Sequence, residues 1–195
     1  MASVEVSKEA DKPSLGSVFE SAPSLVGKLE GELEIKSKAE DFHDVFSARP
    51  HHISNVSPGN IQGCGMHEGD WGTPGSTIVW DYVHDGKKCF AKEIVEAIDH
   101  ENNSTTFRVI EGDLMELYKD FRLIVKATAK KEGEGSIVHW TLEYEKLHDG
   151  IPDPTSLLEF LHAVTIDIDL HLQEAAAAAT ATATTEVVIG DAKAE

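Results

Sequence analysis

The side chains that could carry chemistry in this sequence are its ten histidines, its two cysteines and a few charged residues on predicted strands. His51 and His52 are adjacent, so on a strand they would face opposite ways, and we place them instead on a short helical or loop surface. The sequence contains neither an HExxH motif nor a paired CxxC motif. We therefore predict no metal site and no cofactor.

A general acid or base that acts on a buried substrate must point into the interior of the domain. On the strand predicted for residues 118–130, the alternation of apolar residues turns Arg122 and Lys126 outward. Only Lys119 and Glu111 have inward parity, and both lie near strand ends. Because this is little support for catalysis, we predict that the protein is not an enzyme and has no catalytic residues.

Most inward positions of the predicted strands hold large apolar or aromatic residues. Residues 138–146 alternate between bulky apolar and polar side chains, which is the pattern of a half-buried strand. The polar tips of Trp and Tyr need partners in a dry core, whereas beside a ligand they can supply oriented hydrogen bonds. Ordinary aromatic core packing remains the alternative. The candidate ligand-binding residues are Ile78, Trp80, Tyr82, Phe107, Val109, Phe121, Leu123, Val138, Trp140, Leu142, Tyr144, Phe160, Val164 and Ile168.

The elements that position these residues can be predicted from hydrophobic periodicity and turn signals. Two short helices are predicted, one with the apolar stripe Phe42, Val45 and Phe46 and a brief one within residues 49–59; Ser37 and Glu40 form a capping-box pattern before the first. A long helix begins at Asp153-Pro154 and carries apolar residues on more than half of its circumference. Strands are predicted at residues 28–36, 61–68, 76–84, 88–98, 104–111, 118–130 and 136–147.

One domain with two flanking segments accounts for the 195 residues. Residues 1–26 lack a sustained period and are predicted to be a disordered extension, and residues 27–174 form the ligand-binding domain. Residues 175–195, rich in Ala and Thr, are predicted to be a flexible tail, although Ala could prolong the helix by a turn or two.

The predicted elements imply an internal space. About seven strands at about 4.8 Å spacing make a sheet roughly 30 Å wide, whereas one helix covers about 10 Å. Short connections between the strands indicate antiparallel neighbours, and long strands in a twisted sheet tend to curl. A sheet curved around one helix must fill its concave side with large side chains or with a ligand.

The composition excludes some partners. A formal charge of −18 makes nucleic acid and anionic membrane surfaces poor partners. No stretch approaches the roughly 20 apolar residues of a membrane span, so we expect no membrane insertion. Cys64 and Cys89 are too few for a disulfide framework, and the first residues lack a secretory pattern. We expect a cytoplasmic protein, as a monomer or weak dimer.

Several blocks, in order, resemble the plant major latex protein family, which lies within the larger group of the birch pollen allergen and the pathogenesis-related class 10 proteins. The blocks are KLEGELEIK from Lys28, PHHISNVSPGN from Pro50, QGCGMHEGDWG from Gln62, VIEGD from Val109 and HWTLEYEKLHDGIPDP from His139. The resemblance runs from about Lys28 to Leu172 and implies an α+β, helix-grip (START-like) fold. That fold has a seven-stranded curved antiparallel sheet around a long C-terminal helix, two short helices and an internal hydrophobic cavity.

The resemblance also implies that the protein binds hydrophobic ligands and that it has a glycine-rich loop. The family is associated with binding, carriage or sensing of hydrophobic molecules such as steroids, fatty acids, flavonoids or hormones, and with plant defence and stress. Gly69, Gly72 and Gly75 match the family's glycine-rich loop, but the Gly-Lys-Ser/Thr ending of a P-loop is missing, so we predict no nucleotide binding. Two alternatives remain: an enzyme of secondary metabolism that condenses or isomerises substrates in the cavity, and a protein-interacting defence factor without a ligand.

Overall fold

The computed structural model describes residues 24–191 of the chain, with side chains described as far as residue 181. The predicted N-terminal extension, residues 1–26, lies outside the described residues except for its last three. The strands are β1 (Val26–Ile35), β2 (Ile61–Glu68), β3 (Thr77–His84), β4 (Lys87–Asp99), β5 (Ser104–Gly112), β6 (Tyr118–Ala129) and β7 (Ser136–Lys146). The helices are α1 (Ala39–Ser47), α2 (Ile53–Val56) and α3 (Thr155–Asp191), with 3-10 turns at Pro50–His52 and Asp113–Glu116.

The strands form one antiparallel sheet in the order β1-β7-β6-β5-β4-β3-β2. β1 and β7, which are far apart in sequence, pair along their whole length from Val26↔Glu145 to Ile35↔Ser136. Register shifts interrupt the pairing in three places: between β2 and β3, between β4 and β5, and between β6 and β7. Such bulges bend strands, and the sheet is curved around the helical side as predicted.

Alternation along the strands separates an inner from an outer face. In β7 every second residue from Ser136 to Tyr144 is buried, and Trp140 is only 1% exposed. The outer face carries ion pairs, among them Arg122 with Glu96 at 2.9 Å and Arg108 with Asp120 at 3.0 Å. The inner face therefore supplies the core, and the charged outer face stays in water.

The two short helices cover one end of the inner face. Phe42, Val45 and Phe46 of α1 are buried, as the apolar stripe predicts. The predicted capping box is wrong, because no side chain caps α1. The Ser37 hydroxyl instead donates to Asp169 of α3 at 2.6 Å, and the same carboxylate accepts the Ser37 backbone N–H at 2.8 Å. This contact fastens the start of α1 to α3.

α3 is the element that the sheet encloses. Its buried residues Leu157, Leu161, Val164 and Ile168 recur at helical spacing and face the sheet. Beyond Gln173 the helix is exposed along residues 174–181, although Ala175 and Ala176 still line a cleft with Asp41 and Val45 of α1. The helical backbone continues to Asp191. Ala has the highest helix propensity, so the Ala-rich segment can prolong the helix, as the sequence allowed. The flexible tail predicted for residues 175–195 stays a prediction.

Candidate functional site

A cavity of about 70 Å³ lies between the inner face of the sheet, α3 and the two short helices. Its wall is almost entirely apolar, and one carboxyl group, that of Glu93, takes part in it. The lining residues are Phe46, Ile53, Ile61, Trp80, Tyr82, Ala91, Glu93, Phe107, Leu114, Leu123, Trp140, Leu157, Phe160, Leu161 and Val164.

Half of the predicted ligand-binding residues line this cavity. They come from four strands and from α3, so the fold brings together side chains that are distant in sequence. The members of this group are Trp80, Tyr82, Phe107, Leu123, Trp140, Phe160 and Val164. Their role in binding a ligand stays a prediction.

The other half lies in the packed core and does not line the cavity. Their parity is right, since all are buried, but they sit at other positions along the strands and α3. Phe121, for example, stacks on Tyr144 with ring centroids 6.0 Å apart and contacts Tyr118 at 4.9 Å, so aromatic rings fill that end of the sheet. The members of this group are Ile78, Val109, Phe121, Val138, Leu142, Tyr144 and Ile168.

The glycine-rich loop joins β2 to β3 and does not line the cavity. Gly69, Gly72 and Gly75 have φ of 92°, 71° and 91°, a backbone region that residues with a Cβ rarely adopt. The Ser76 hydroxyl closes the loop by donating to the Asp70 carbonyl at 2.8 Å and accepting the Asp70 N–H at 3.0 Å. The glycines therefore have a clear conformational role, and their predicted role in a site stays a prediction.

Two tryptophans in the cavity wall satisfy their indole N–H groups in different ways. Trp140 donates to the Thr165 hydroxyl at 3.0 Å, which in turn donates to the Leu161 carbonyl at 2.8 Å. Trp80 donates to Oε2 of Glu93 at 2.8 Å. The first arrangement is a neutral bridge from β7 to α3, whereas the second holds an ionisable carboxyl in the wall.

Glu93 is the functional candidate that our sequence analysis missed. Its side chain is 6% exposed, and burial raises the pKa of its carboxyl from the ordinary 4.5 to about 7, although the Trp80 N–H favours the ionised form. The signal was available, because Glu93 has the same parity as Ala91 and Val95 on β4, both of which are buried. An acidic residue at an inward position is the kind of exception that points to a site.

Neither charged residue that the sequence placed inward reaches the cavity. Lys119 is exposed and pairs with Glu145 at 2.8 Å, and Glu111 is exposed and pairs with Lys92 at 2.6 Å. Both lie at strand ends, where the sheet meets water and side chains can turn to surface partners. Glu93 lies in the middle of β4, so its side chain cannot turn to a partner at the surface.

An outer cleft of about 380 Å³ adjoins the cavity. Tyr82, Leu114 and Leu157 line both spaces, so these three side chains form the partition between them. The ring of Phe160 packs behind the partition, 5.6 Å from that of Tyr82 and 5.8 Å from that of His84.

Other kinds of site find little support among the described residues. No group of three or more His, Cys, Asp or Glu side chains in residues 24–181 could hold a metal ion. Within the described part of the chain, none of the helices has the length and apolar character needed to cross a membrane.

Comparison with known proteins relates the whole domain to one family. The family model "Pathogenesis-related protein Bet v 1 family" matches residues 24–175. MLP-like protein 34 of Arabidopsis thaliana is 58% identical over 144 residues, which are 74% of this chain and 46% of that protein. The chain thus spans about half the length of this curated relative.

Solved structures give the same picture. Ginseng major latex-like protein 151 from Panax ginseng is 46% identical, with a TM-score of 0.73 over 76% of this chain and 98% of that one. A norcoclaurine synthase from Thalictrum flavum is 19% identical, with a TM-score of 0.61 over 78% of this chain and 98% of that one. At this low identity the second likeness concerns the fold alone.

Proposed function

This chain belongs to the pathogenesis-related protein Bet v 1 family, among its major latex protein-like members, and on that premise we propose that it binds and carries, or senses, hydrophobic small molecules without converting them. The observation that carries the proposal is the apolar cavity between the sheet and α3. Small-molecule sites are concave and mostly apolar, with a few polar groups that fix orientation. Tyr82 and Glu93 supply such groups here.

The size of the cavity determines how a ligand must bind. Its volume is about 70 Å³, whereas pockets for small molecules measure roughly 300–1,000 Å³. A ligand must therefore displace part of the wall. The side chain of Phe160 is the natural one to move, because it is only half-buried and stands directly behind the partition to the outer cleft.

The ligand class follows from the wall. A mostly apolar surface suits steroids, fatty acids, flavonoids or hormones, which are large hydrophobic molecules with few polar groups. We place the protein in the cytoplasm, as a monomer or weak dimer with a role in plant defence or stress. Fractionation of the native tissue and analytical ultracentrifugation test these two placements.

A thermal-shift panel tests ligand binding. A ligand that binds only the folded state at 100 times its Kd stabilises it by about 2.7 kcal/mol. We expect at least one member of a panel of steroids, flavonoids, fatty acids and abscisic acid to raise Tm, with a 1:1 stoichiometry by calorimetry. Mass spectrometry of small molecules that co-purify with the protein from native tissue then identifies the physiological ligand.

A cavity-filling variant is the matched control. Ala91 lines the cavity and is 3% exposed, so Ala91→Leu places additional carbon atoms in the empty space. This variant should keep the fold and lose the ligand-induced shift. If no compound shifts Tm of the unmodified protein, or if Ala91→Leu responds as the unmodified protein does, cavity binding is refuted.

An enzyme is the second candidate, and one observation favours it. A cavity carboxyl with a pKa of about 7 is suited to general acid–base catalysis near neutral pH. Incubation with dopamine and hydroxybenzaldehyde, the two compounds present in a solved structure of norcoclaurine synthase from Thalictrum flavum, followed by mass spectrometry, tests for a condensation. Product that forms with the unmodified protein and not with Glu93→Gln would replace carriage by catalysis as the proposed function.

A further inference from the structure

The cavity offers a ligand two polar groups. Trp140 is already bonded to Thr165, and Trp80 uses its N–H on Oε2 of Glu93. Among the described residues, the hydrogen bond from Trp80 to Oε2 is the one that the Glu93 carboxyl makes, which leaves Oε1 available, and the Tyr82 hydroxyl makes none within the protein. Both side chains are at least nine-tenths buried and line the cavity.

The fold places these two groups on the same inner face of the sheet. In the β3–β4 register Trp80 is opposite Ala91 and Tyr82 is opposite Cys89, so Glu93 lies two residues along this face from the partner of Trp80 and four from the partner of Tyr82. Burial raises the pKa of Tyr82, and the nearby charges of Cys89 and Glu93 raise it further, so the two groups sense each other. The Trp80 N–H fixes the orientation of the carboxyl at 2.8 Å and makes Trp80 a positioning residue. A pairing irregularity between β4 and β5 falls at Lys92 and Glu93, and bulges commonly re-aim side chains beside sites.

A buried carboxyl group treats ligands unequally. An acceptor oxygen is complemented by a ligand hydroxyl that donates, whereas an ether brings no donor and a carboxylate brings a second negative charge. The other titratable groups near Glu93 are Tyr82 and Cys64, which have no cationic form, and burial raises the pKa of both and keeps them neutral. The wall therefore contains no positive charge to bind an anionic ligand.

We propose that Glu93 and Tyr82 form a polar subsite that selects hydrophobic ligands carrying a neutral hydroxyl and rejects those carrying a carboxylate. A ligand hydroxyl donates to Oε1 of Glu93, and the Tyr82 hydroxyl is a donor for a ligand oxygen. This inference rests on the proposed function, since it concerns the same cavity. It narrows the ligand class to hydroxylated steroids, phenols and similar molecules, and it disfavours fatty acids.

Three bicyclic probes of similar shape test the subsite in the unmodified protein. They are 2-naphthol, which can donate; 2-methoxynaphthalene, which cannot; and 2-naphthoate, which is anionic. Calorimetry at pH 8 should give a Kd for 2-naphthol about tenfold lower than for the ether, because a hydrogen bond to a charged acceptor discriminates by at least that factor. 2-Naphthoate should bind more weakly than either.

A nearly isosteric variant should abolish this order. In Glu93→Gln the amide oxygen can still accept the Trp80 N–H, and the amide NH₂ then replaces Oε1 toward the ligand. We expect 2-naphthol to lose about tenfold in affinity, whereas 2-naphthoate gains. Glu159→Gln, which neutralises an exposed carboxylate on α3, is the matched control and should leave all three affinities unchanged.

The outcomes separate the two proposals. If the unmodified protein binds 2-naphthol and 2-methoxynaphthalene equally, or if Glu93→Gln keeps the original order, the subsite is refuted while cavity binding stands. If none of the probes binds the unmodified protein, the subsite is refuted, and the thermal-shift panel decides cavity binding separately. The comparison within the unmodified protein does not depend on whether a variant folds.

Discussion

Replacing Glu93 by Gln should change the pH dependence of folding stability. Burial raises the pKa of the folded-state carboxyl from 4.5 to about 7. Between these two values the folded state holds a proton that the unfolded state has released. Stability from this group is therefore fully present below pH 4.5, falls as the pH rises, and reaches its minimum above about pH 7.

The magnitude follows from the pKa difference. One pKa unit corresponds to about 1.4 kcal/mol, so ionisation of Glu93 removes about 3 kcal/mol of stability between pH 4.5 and 7. The sequence pI is about 4.8, and proteins near zero net charge tend to precipitate. Measurements that begin at pH 5.5 avoid this range and should still capture about 2 kcal/mol of the change.

Urea unfolding of the unmodified protein and Glu93→Gln at several pH values from 5.5 to 8.5 is the assay. The free energy of unfolding of Glu93→Gln minus that of the unmodified protein should rise by about 2 kcal/mol with pH and level off above 7. Burial lowers the pKa of His43, so both proteins lose stability through this group as the pH falls below 6.5. Because the loss is the same in both, it cancels in the difference between their free energies of unfolding. Parallel curves would refute the reasoning, and Glu159→Gln should give a flat difference.

Three further variants have defined outcomes. Phe160→Ala should lower the free energy of unfolding by about 2 kcal/mol, less than for a fully buried Phe, and should tighten binding of 2-naphthol in calorimetry because the ring no longer occupies the cavity. Gly135→Ala should lower Tm more than Gly133→Ala; both glycines have positive φ, but only at Gly135 would a Cβ collide with the Ile35 carbonyl. Tyr144→Phe removes a 2.6 Å hydrogen bond to Asp153 and should cost about 1 kcal/mol in urea unfolding.

The strands of the sheet could be predicted because one face of the sheet is exposed to water, so polar and apolar residues alternate along each strand. Where Trp140 and its neighbours alternate with His139, Thr141 and Glu143, parity alone states which side chains are buried. The predicted strand spans agree with the structure within a few residues. The resemblance to the major latex proteins supplied the seven-stranded curved antiparallel sheet around the long helix. The pairing of β1 with β7 was not predicted, because no local pattern reveals it.

Depth along a strand could not be predicted in the same way. Phe121 and Trp140 share the inner face, yet only Trp140 borders the cavity, because the rings of Tyr118 and Tyr144 fill the space beside Phe121. Parity identifies a face, whereas the boundary of a void depends on how side chains from several strands meet. The same limit applies to α3, where Val164 lines the cavity and Ile168 does not.

Long-range polar contacts were also beyond the sequence. Ser37 and Glu40 have the spacing of a capping box, but the Ser37 hydroxyl bonds to Asp169, which is 132 residues away. The capping-box rule considers only partners a few residues away, whereas the fold brings the Asp169 carboxylate within hydrogen-bond distance of Ser37. Glu93 is the opposite case, since its parity was readable and only its chemical consequence was overlooked.

The cavity and its carboxyl group together argue for a site and against a purely structural core. An empty apolar volume costs about 24 cal/mol per Å³, so 70 Å³ corresponds to about 2 kcal/mol of lost stability. The buried carboxyl costs about 3 kcal/mol more at neutral pH. Ala91→Leu and Glu93→Gln should each recover part of this free energy. The unmodified protein is therefore expected to be less stable than variants of the same fold whose cavity is filled or whose carboxyl is neutral. Features that lower stability in this way are expected where a protein binds something, and a double variant that is more stable but no longer takes up 2-naphthol would tie the two costs to one function.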